Sequence, residues 1–171
     1  MLYEIGPGFG ASPTWFANDT LRTWHLMRAR TRVDAADPKL LAQLGIVSWW
    51  LGKLPEARDA LNEALALDPG RRESYVFLGR VHVALGDYDA ARQAYGHALE
   101  LQPGDADARV GFGLASFLSG HDREAAAAWR PVIPMTVEPR ILRAMAQLYD
   151  SLGDDEAAGQ ARAQRARQAR R

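Results

Sequence analysis

Four glycines set the frame of this chain: Gly52, Gly86, Gly120 and Gly153 follow one another at steps of 34, 34 and 33 residues. Ala57, Ala91, Ala125 and Ala158 keep nearly the same step, and Pro69 and Pro103 are also 34 apart. Between these marks the sequence reads as pairs of amphipathic helices. The most regular pair covers 72–105, with its helices joined at Gly86-Asp87 and closed by Gln102-Pro103-Gly104. A pair this short cannot shield its apolar stripe alone, so a fixed period of this size predicts a stacked array in which each hairpin covers its neighbour. The expected fold class is all-α.

The spacing has a packing logic. Small residues in both helices of a pair let the backbones approach closely, where a larger side chain would overpack the contact by about 1–3 kcal/mol. Leu, Phe, Tyr and Trp at helical spacing fill the volume on either side. A glycine after the first helix supplies a left-handed cap, and the Asp that follows in three of the units opens the next helix. Proline after the second helix forbids its continuation.

In register, the units run 38–71, 72–105, 106–139 and 139–168. A large residue in the first helix falls on Leu41, Tyr75 and Leu142, with Arg109 in the third unit. A large-small pair follows at Leu44-Gly45, Leu78-Gly79, Phe112-Gly113 and Met145-Ala146. The bulky residue of the second helix is Leu61, Tyr95 and Trp129, replaced by Arg162 in the last unit. This pattern resembles the tetratricopeptide repeat. It departs at the family's mid-helix aromatic, which becomes Ser48, His82 and Ser116 and is kept only as Tyr149.

The resemblance implies a right-handed α-α superhelix of antiparallel helix pairs, with the first helices lining a concave face. The positions of the repeat that face this groove put Ala42, Ile46, Trp49, Val76, Arg80, Val83, Val110, Leu114 and Phe117 on one surface, with Arg140 and Arg143 at one end. Apolar surface of that extent, if wet, marks a binding site. Arg80, Arg140 and Arg143 are then placed to orient an acidic or C-terminal group. Family members that grip the C-terminal carboxylate of chaperones use Lys, Asn and Arg at positions that here are Ala42, Ile46, Phe77, Asp107 and Gly111, so that subtype is not expected.

Composition bounds the remaining classes. Lys+Arg and Asp+Glu both number 21, so no overall field draws nucleic acid, and no nucleic-acid partner is expected. There is no cysteine, which removes disulfides, thiolate chemistry and cysteine-based zinc sites. His25, His82, His97 and His121 form no i, i+3 or i+4 pair, so no metal and no cofactor is expected. With no Gly-x-Ser-x-Gly turn either, the expected answer to catalysis is no.

At the amino end, residues 1–19 read as an irregular leader rich in Gly, Pro and aromatics, and 20–36 as a capping helix opened by Asn18-Asp19-Thr20 and running from Leu21 to Val33. Gly6, Gly8 and Gly10 have the spacing of a phosphate loop, but no strand precedes them and Pro7 removes a donor. Residues 37–171 form the array, closed by a basic terminal helix. Pro131 and Pro134 should stop the second helix of the third unit near Arg130, leaving Val132-Ile133 to pack as irregular chain.

No apolar run is long enough to span a bilayer, and the first residues lack the pattern of a secretory signal. The expected compartment is the cytoplasm, or the periplasm for a chain whose export signal has been removed. The expected function is a non-catalytic adaptor or assembly factor that holds a partner peptide or helix in the groove. Two alternatives are a homo-oligomer, built by end stacking or by exchange of residues 1–17, and a secretion-type chaperone shielding an apolar client segment.

Overall fold

The computed structural model describes residues 14–31 and 37–170. Residues 1–13, which carry most of the leader, and 32–36, where the capping helix was expected to end, lie outside the described residues. Nine α-helices and one 3₁₀ turn make up the secondary structure of the described residues. Helix α1 (Thr14–Thr31) precedes four hairpins: α2 (Pro38–Trp50) with α3 (Leu54–Leu67), α4 (Arg72–Leu85) with α5 (Tyr88–Leu101), α6 (Ala106–Leu118) with α7 (Asp122–Trp129), and α8 (Pro139–Ser151) with α9 (Asp155–Gln168). Helix α1 starts at Thr14 rather than at the Leu21 expected from the Asn18-Asp19-Thr20 signal. No glycine or proline interrupts 14–31, so once the helix exists each added residue costs little, and capping residues inside it do not stop it.

Each hairpin turns by the same device. Gly52, Gly86, Gly120 and Gly153 have φ of 70°, 80°, 80° and 72°, in the left-handed region that a Cβ disfavours. The residue after each glycine then returns its N–H to the preceding helix: Lys53 to Ser48 O at 2.9 Å, Asp87 to His82 O at 2.9 Å, His121 to Ser116 O at 2.8 Å and Asp154 to Tyr149 O at 2.8 Å. These bonds satisfy carbonyls that a helix end otherwise leaves open. Asp87 and Asp154 go on to cap the second helices, accepting from Ala90 N at 3.3 Å and Ala157 N at 3.1 Å. One turn thus ends a helix and starts the next.

The small residues of the first helices sit directly against the bulky residues of the second. A Cβ on Gly45 would lie 2.6 Å from Leu61 Cγ, one on Gly79 2.7 Å from the Tyr95 ring, and one on Gly113 2.3 Å from Trp129 Nε1. The core accordingly runs as a string of adjoining clusters. One gathers Leu61, Phe77, Leu78 and Val81, the next Val76, Tyr95, Ala108 and Ala115, and the last Trp129, Ile133, Met145 and Tyr149. At the amino end Trp24 of α1 packs with Leu44 and Ala60, and its indole N–H donates to Ser48 Oγ at 2.7 Å. Ser48, a departure from the family aromatic, is thereby the acceptor for the capping helix.

The prolines act close to where they were expected to. Helix α7 ends at Trp129 and continues as the 3₁₀ turn Arg130–Val132, with Val132 and Ile133 buried. Along the face made by the first helices, α2 touches α4, α4 touches α6, and α6 then meets the 3₁₀ turn. The following segment is pinned: Gln164 of α9 donates to Pro134 O at 2.9 Å and Thr136 O at 3.2 Å, and Thr136 Oγ1 donates to Val132 O at 2.8 Å.

Neighbouring hairpins are also linked by charge. Asp105 is buried, caps α6 through Ala108 N at 2.9 Å, and pairs with Arg72 at the start of α4. Asp105→Ala removes the cap and leaves a half-buried guanidinium without its carboxylate. Denaturant melts should show a loss of about 2 kcal/mol.

Candidate functional site

A cleft of about 310 Å³ opens on the face where α2, α4 and α6 lie side by side. Trp49 of α2 and Arg80 and Val83 of α4 form one wall; Ala106, Asp107, Val110, Gly111 and Leu114 of α6 form the floor. Tyr95 reaches it from α5, and Val132, Met135, Thr136, Val137 and Glu138 close the far side. Tyr95 can be there because neither α4 nor α6 has a side chain in its way: a Cβ on Gly79 or Gly111 would fall 2.7 or 2.3 Å from its ring.

The groove residues expected from the sequence divide into four groups. Trp49, Arg80, Val83, Val110 and Leu114 line the cleft together. Ala42 and Val76 belong to the core, as does most of Val83. Successive first helices touch one another, so the position that would have faced the groove is covered by the next helix. Ile46 packs half-buried on the Leu61 cluster, and Phe117 turns to the Trp129 ring, centroids 5.7 Å apart, instead of the cleft. Arg140 and Arg143 are exposed on α8 and line no part of the cleft.

Arg80 is engaged in a way that the sequence did not foretell. Its guanidinium lies over the rings of Phe77 at 4.8 Å and Trp49 at 5.7 Å, and 3.6 Å from the Asp107 carboxylate. Its charge is therefore partly answered within the protein, and the side chain serves as a flat, cationic piece of wall beside Trp49. Burial raises the Tyr95 phenol well above its ordinary pKa of 10.0, with Arg80 pulling it down and Asp107 pushing it up. It stays protonated and able to donate at neutral pH.

Sequence reasoning missed the far side altogether. Met135 and Val137 are 61% and 66% exposed although they flank the buried Thr136. The signal for them was Pro131 and Pro134, which end the helix and free the chain to cross toward the groove.

Titratable groups elsewhere have structural uses. Ser119 Oγ lies 2.9 Å from His121 Nδ1, but the same hydroxyl donates to Ala115 O at 2.9 Å as part of the end of α6. Among the described residues, no group of three His, Asp or Glu side chains converges to hold a metal ion. His82 is mostly buried, with Nδ1 3.6 Å from the Asp87 carboxylate. Desolvation lowers its pKa below 6.5, and Asp87 offsets this only in part. The unfolded chain therefore binds the proton more readily, and stability should fall as pH drops through and below 6.5 until the folded-state value is passed. His82→Phe, which restores the aromatic, should flatten that part of a stability-against-pH curve.

Comparison with known proteins places this architecture. Sequence profiles of the tetratricopeptide repeat match residues 38–104 and 82–148, and together they take in well over half of the chain. The chain belongs to the tetratricopeptide repeat family. No curated protein matches the sequence. Among solved structures, MamA superposes with a TM-score of 0.80 at 22% identity, covering 100% of both chains. YrrB, described as a tetratricopeptide repeat protein with an unusual peptide-binding site, gives 0.72 at 21% identity over 86% of this chain and 77% of its own. TTC0263, a thermophilic tetratricopeptide repeat protein of Thermus thermophilus, gives 0.66 at 22% identity over 92% and 87%. At these identities the likeness is one of fold. The tetratricopeptide array is an all-α helical-repeat solenoid, a scaffold of the kind that serves protein–protein interaction. Among its described residues no helix is long and apolar enough to cross a membrane.

Proposed function

We propose that this protein is a non-catalytic adaptor that holds a segment of a partner polypeptide in the cleft between α2, α4, α6 and the 132–138 loop. The observation that carries this reading is the cleft itself: apolar side chains from consecutive repeats meet there, and Trp49, Val110, Leu114, Met135 and Val137 keep exposed surface. Trp49, partly exposed on α2, is rigid and amphipathic, the kind of side chain around which binding energy concentrates. The cleft is pinned from behind by the Gln164 hydrogen bonds, so little ordering cost falls due on binding.

The natural absence of cysteine makes the test direct. Single-cysteine variants Val137→Cys in the cleft and Glu63→Cys at an exposed position of α3 outside it are each labelled with a photoactivatable group and illuminated in extract of the source cells. A discrete protein crosslinked from position 137, absent from position 63 and lost when Met135→Glu is added, supports the adaptor reading. Equal labelling from both positions, or none from 137, counts against it.

Self-association is the second reading. The exposed Leu21 and Leu26 on α1 and the exposed Ala163 and Ala166 on α9 favour it, being apolar positions on the two outermost helices. Mass by light scattering over a wide concentration range decides it: a constant monomer mass rules self-association out.

A further inference from the structure

Resting on the adaptor reading, we infer that the segment taken by the cleft carries a bulky apolar side chain with a lysine or arginine close by in its sequence, and not the acidic or C-terminal group that Arg80 suggests. The apolar part follows from the lining. Val110, Leu114 and Trp49, each partly exposed, present carbon surface around about 310 Å³, backed by the buried Tyr95 ring, room for a large side chain but not for a folded element. Met135 and Val137 stand exposed on either side of Thr136, which is itself held by hydrogen bonds to Val132 O and from Gln164. Apolar groups fixed at the mouth of a cavity extend the surface that an entering side chain buries.

The cationic part follows from charge. Three charged side chains line the cleft: Arg80, Asp107 and Glu138. Arg80 is stacked on Phe77 and Trp49 and paired with Asp107, so little of its charge is left to attract an anion. Asp107 keeps a side chain 77% exposed, and Glu138 stands in solvent at the start of α8 without a side-chain capping bond. Both carboxylates are thus exposed members of the lining, Asp107 from α6 and Glu138 from the far side. The lining carries one more negative than positive charge, and Arg140 and Arg143 lie outside it. A cation beside the buried anchor meets Glu138 and the exposed Asp107, whose charge Arg80 answers only in part at 3.6 Å, whereas an acidic residue in the same place meets them as like charges.

The probe is a displayed library of random dodecapeptides, selected on the full chain at moderate salt. Enriched peptides are then synthesised and titrated by fluorescence anisotropy. The expected selection pairs Trp, Phe, Leu or Met with nearby Lys or Arg. Replacing the apolar residue of a selected peptide by Ala should weaken binding at least about tenfold, the scale of burying one large side chain. Replacing its cation by Glu should weaken binding by about threefold or more, and rising salt should erode the same difference.

The protein variant Glu138→Lys combined with Asp107→Asn should reverse the preference toward acidic peptides. Both residues are exposed, so unchanged helical circular dichroism and melting keep that variant interpretable. Selected peptides that are acidic, that depend on a free C-terminus, or whose affinity ignores the double variant overturn this inference while leaving the adaptor reading standing. Failure of every peptide class to enrich contradicts both.

Discussion

Trp129→Ala is expected to cost about 3–5 kcal/mol and to divide the unfolding of the chain into two steps. The indole is fully buried where α6, the 3₁₀ turn and α8 converge. It packs with Ala125, Val132, Ile133, Met145 and Tyr149, and its N–H donates to Val110 O at 3.1 Å. The cavity left by truncation resists collapse, since its walls belong to separate elements, each held by other contacts. Tyr149 is fixed through its hydroxyl to Ala126 O at 2.7 Å, and Ile133 by the pinned loop behind it. Stability in a repeat array is a sum of local terms, and Trp129 belongs to a cluster distinct from that of Leu61, Phe77 and Val81. Urea titration followed by circular dichroism should therefore show α6 to α9 melting ahead of α2 to α5. A single transition displaced by less than about 1 kcal/mol would mean that the third and fourth hairpins do not depend on this side chain.

The second large effect is one of sign. Gly113→Ala adds a single methyl group to a helix interior, where the exchange ordinarily stabilises by about 1 kcal/mol. Here that methyl would lie 2.3 Å from Trp129 Nε1 and 2.4 Å from Cδ1, and the ring is fully buried within a side-chain cluster. The two helices must part, and we expect a net loss of about 2 kcal/mol despite the better propensity. Gly159→Ala is the control. It is an exposed position of α9 with nothing beyond its own helix within 4 Å of the added Cβ, so it should stabilise by about 0.5–1 kcal/mol. Paired thermal melts separate the two. If both substitutions stabilise, the close approach of α6 and α7 is not what fixes the hairpin.

The hairpins were legible because their causes are local and repeated. Glycine at the turn, Asp or His after it, and a small residue set against a bulky one each leave a residue-level mark, as with Gly79 and Tyr95. The break after Trp129 was legible through two prolines. The groove was only half legible, for two reasons. Whether Val76 faces solvent or core depends on how close α6 comes to α4, a property of curvature that no single repeat encodes. The direction of the 132–138 loop depends on Gln164, some thirty residues farther on and inconspicuous in a basic helix. Arg80 shows the same limit. Its place on the groove side could be read from the repeat, whereas its stacking on Trp49 and its pairing with Asp107 depend on the neighbouring helices α2 and α6.

Hydrogen exchange on the intact chain, with and without a saturating peptide from the library selection, tests the adaptor reading most directly. The expected result is slowed exchange in α6 and in the 132–138 loop, with α3 and the exposed side of α5 unchanged. Protection confined to α3, α5 or α9, or spread evenly along the chain, would contradict the claim that the cleft beside Trp49 and Tyr95 is where this protein takes its partner.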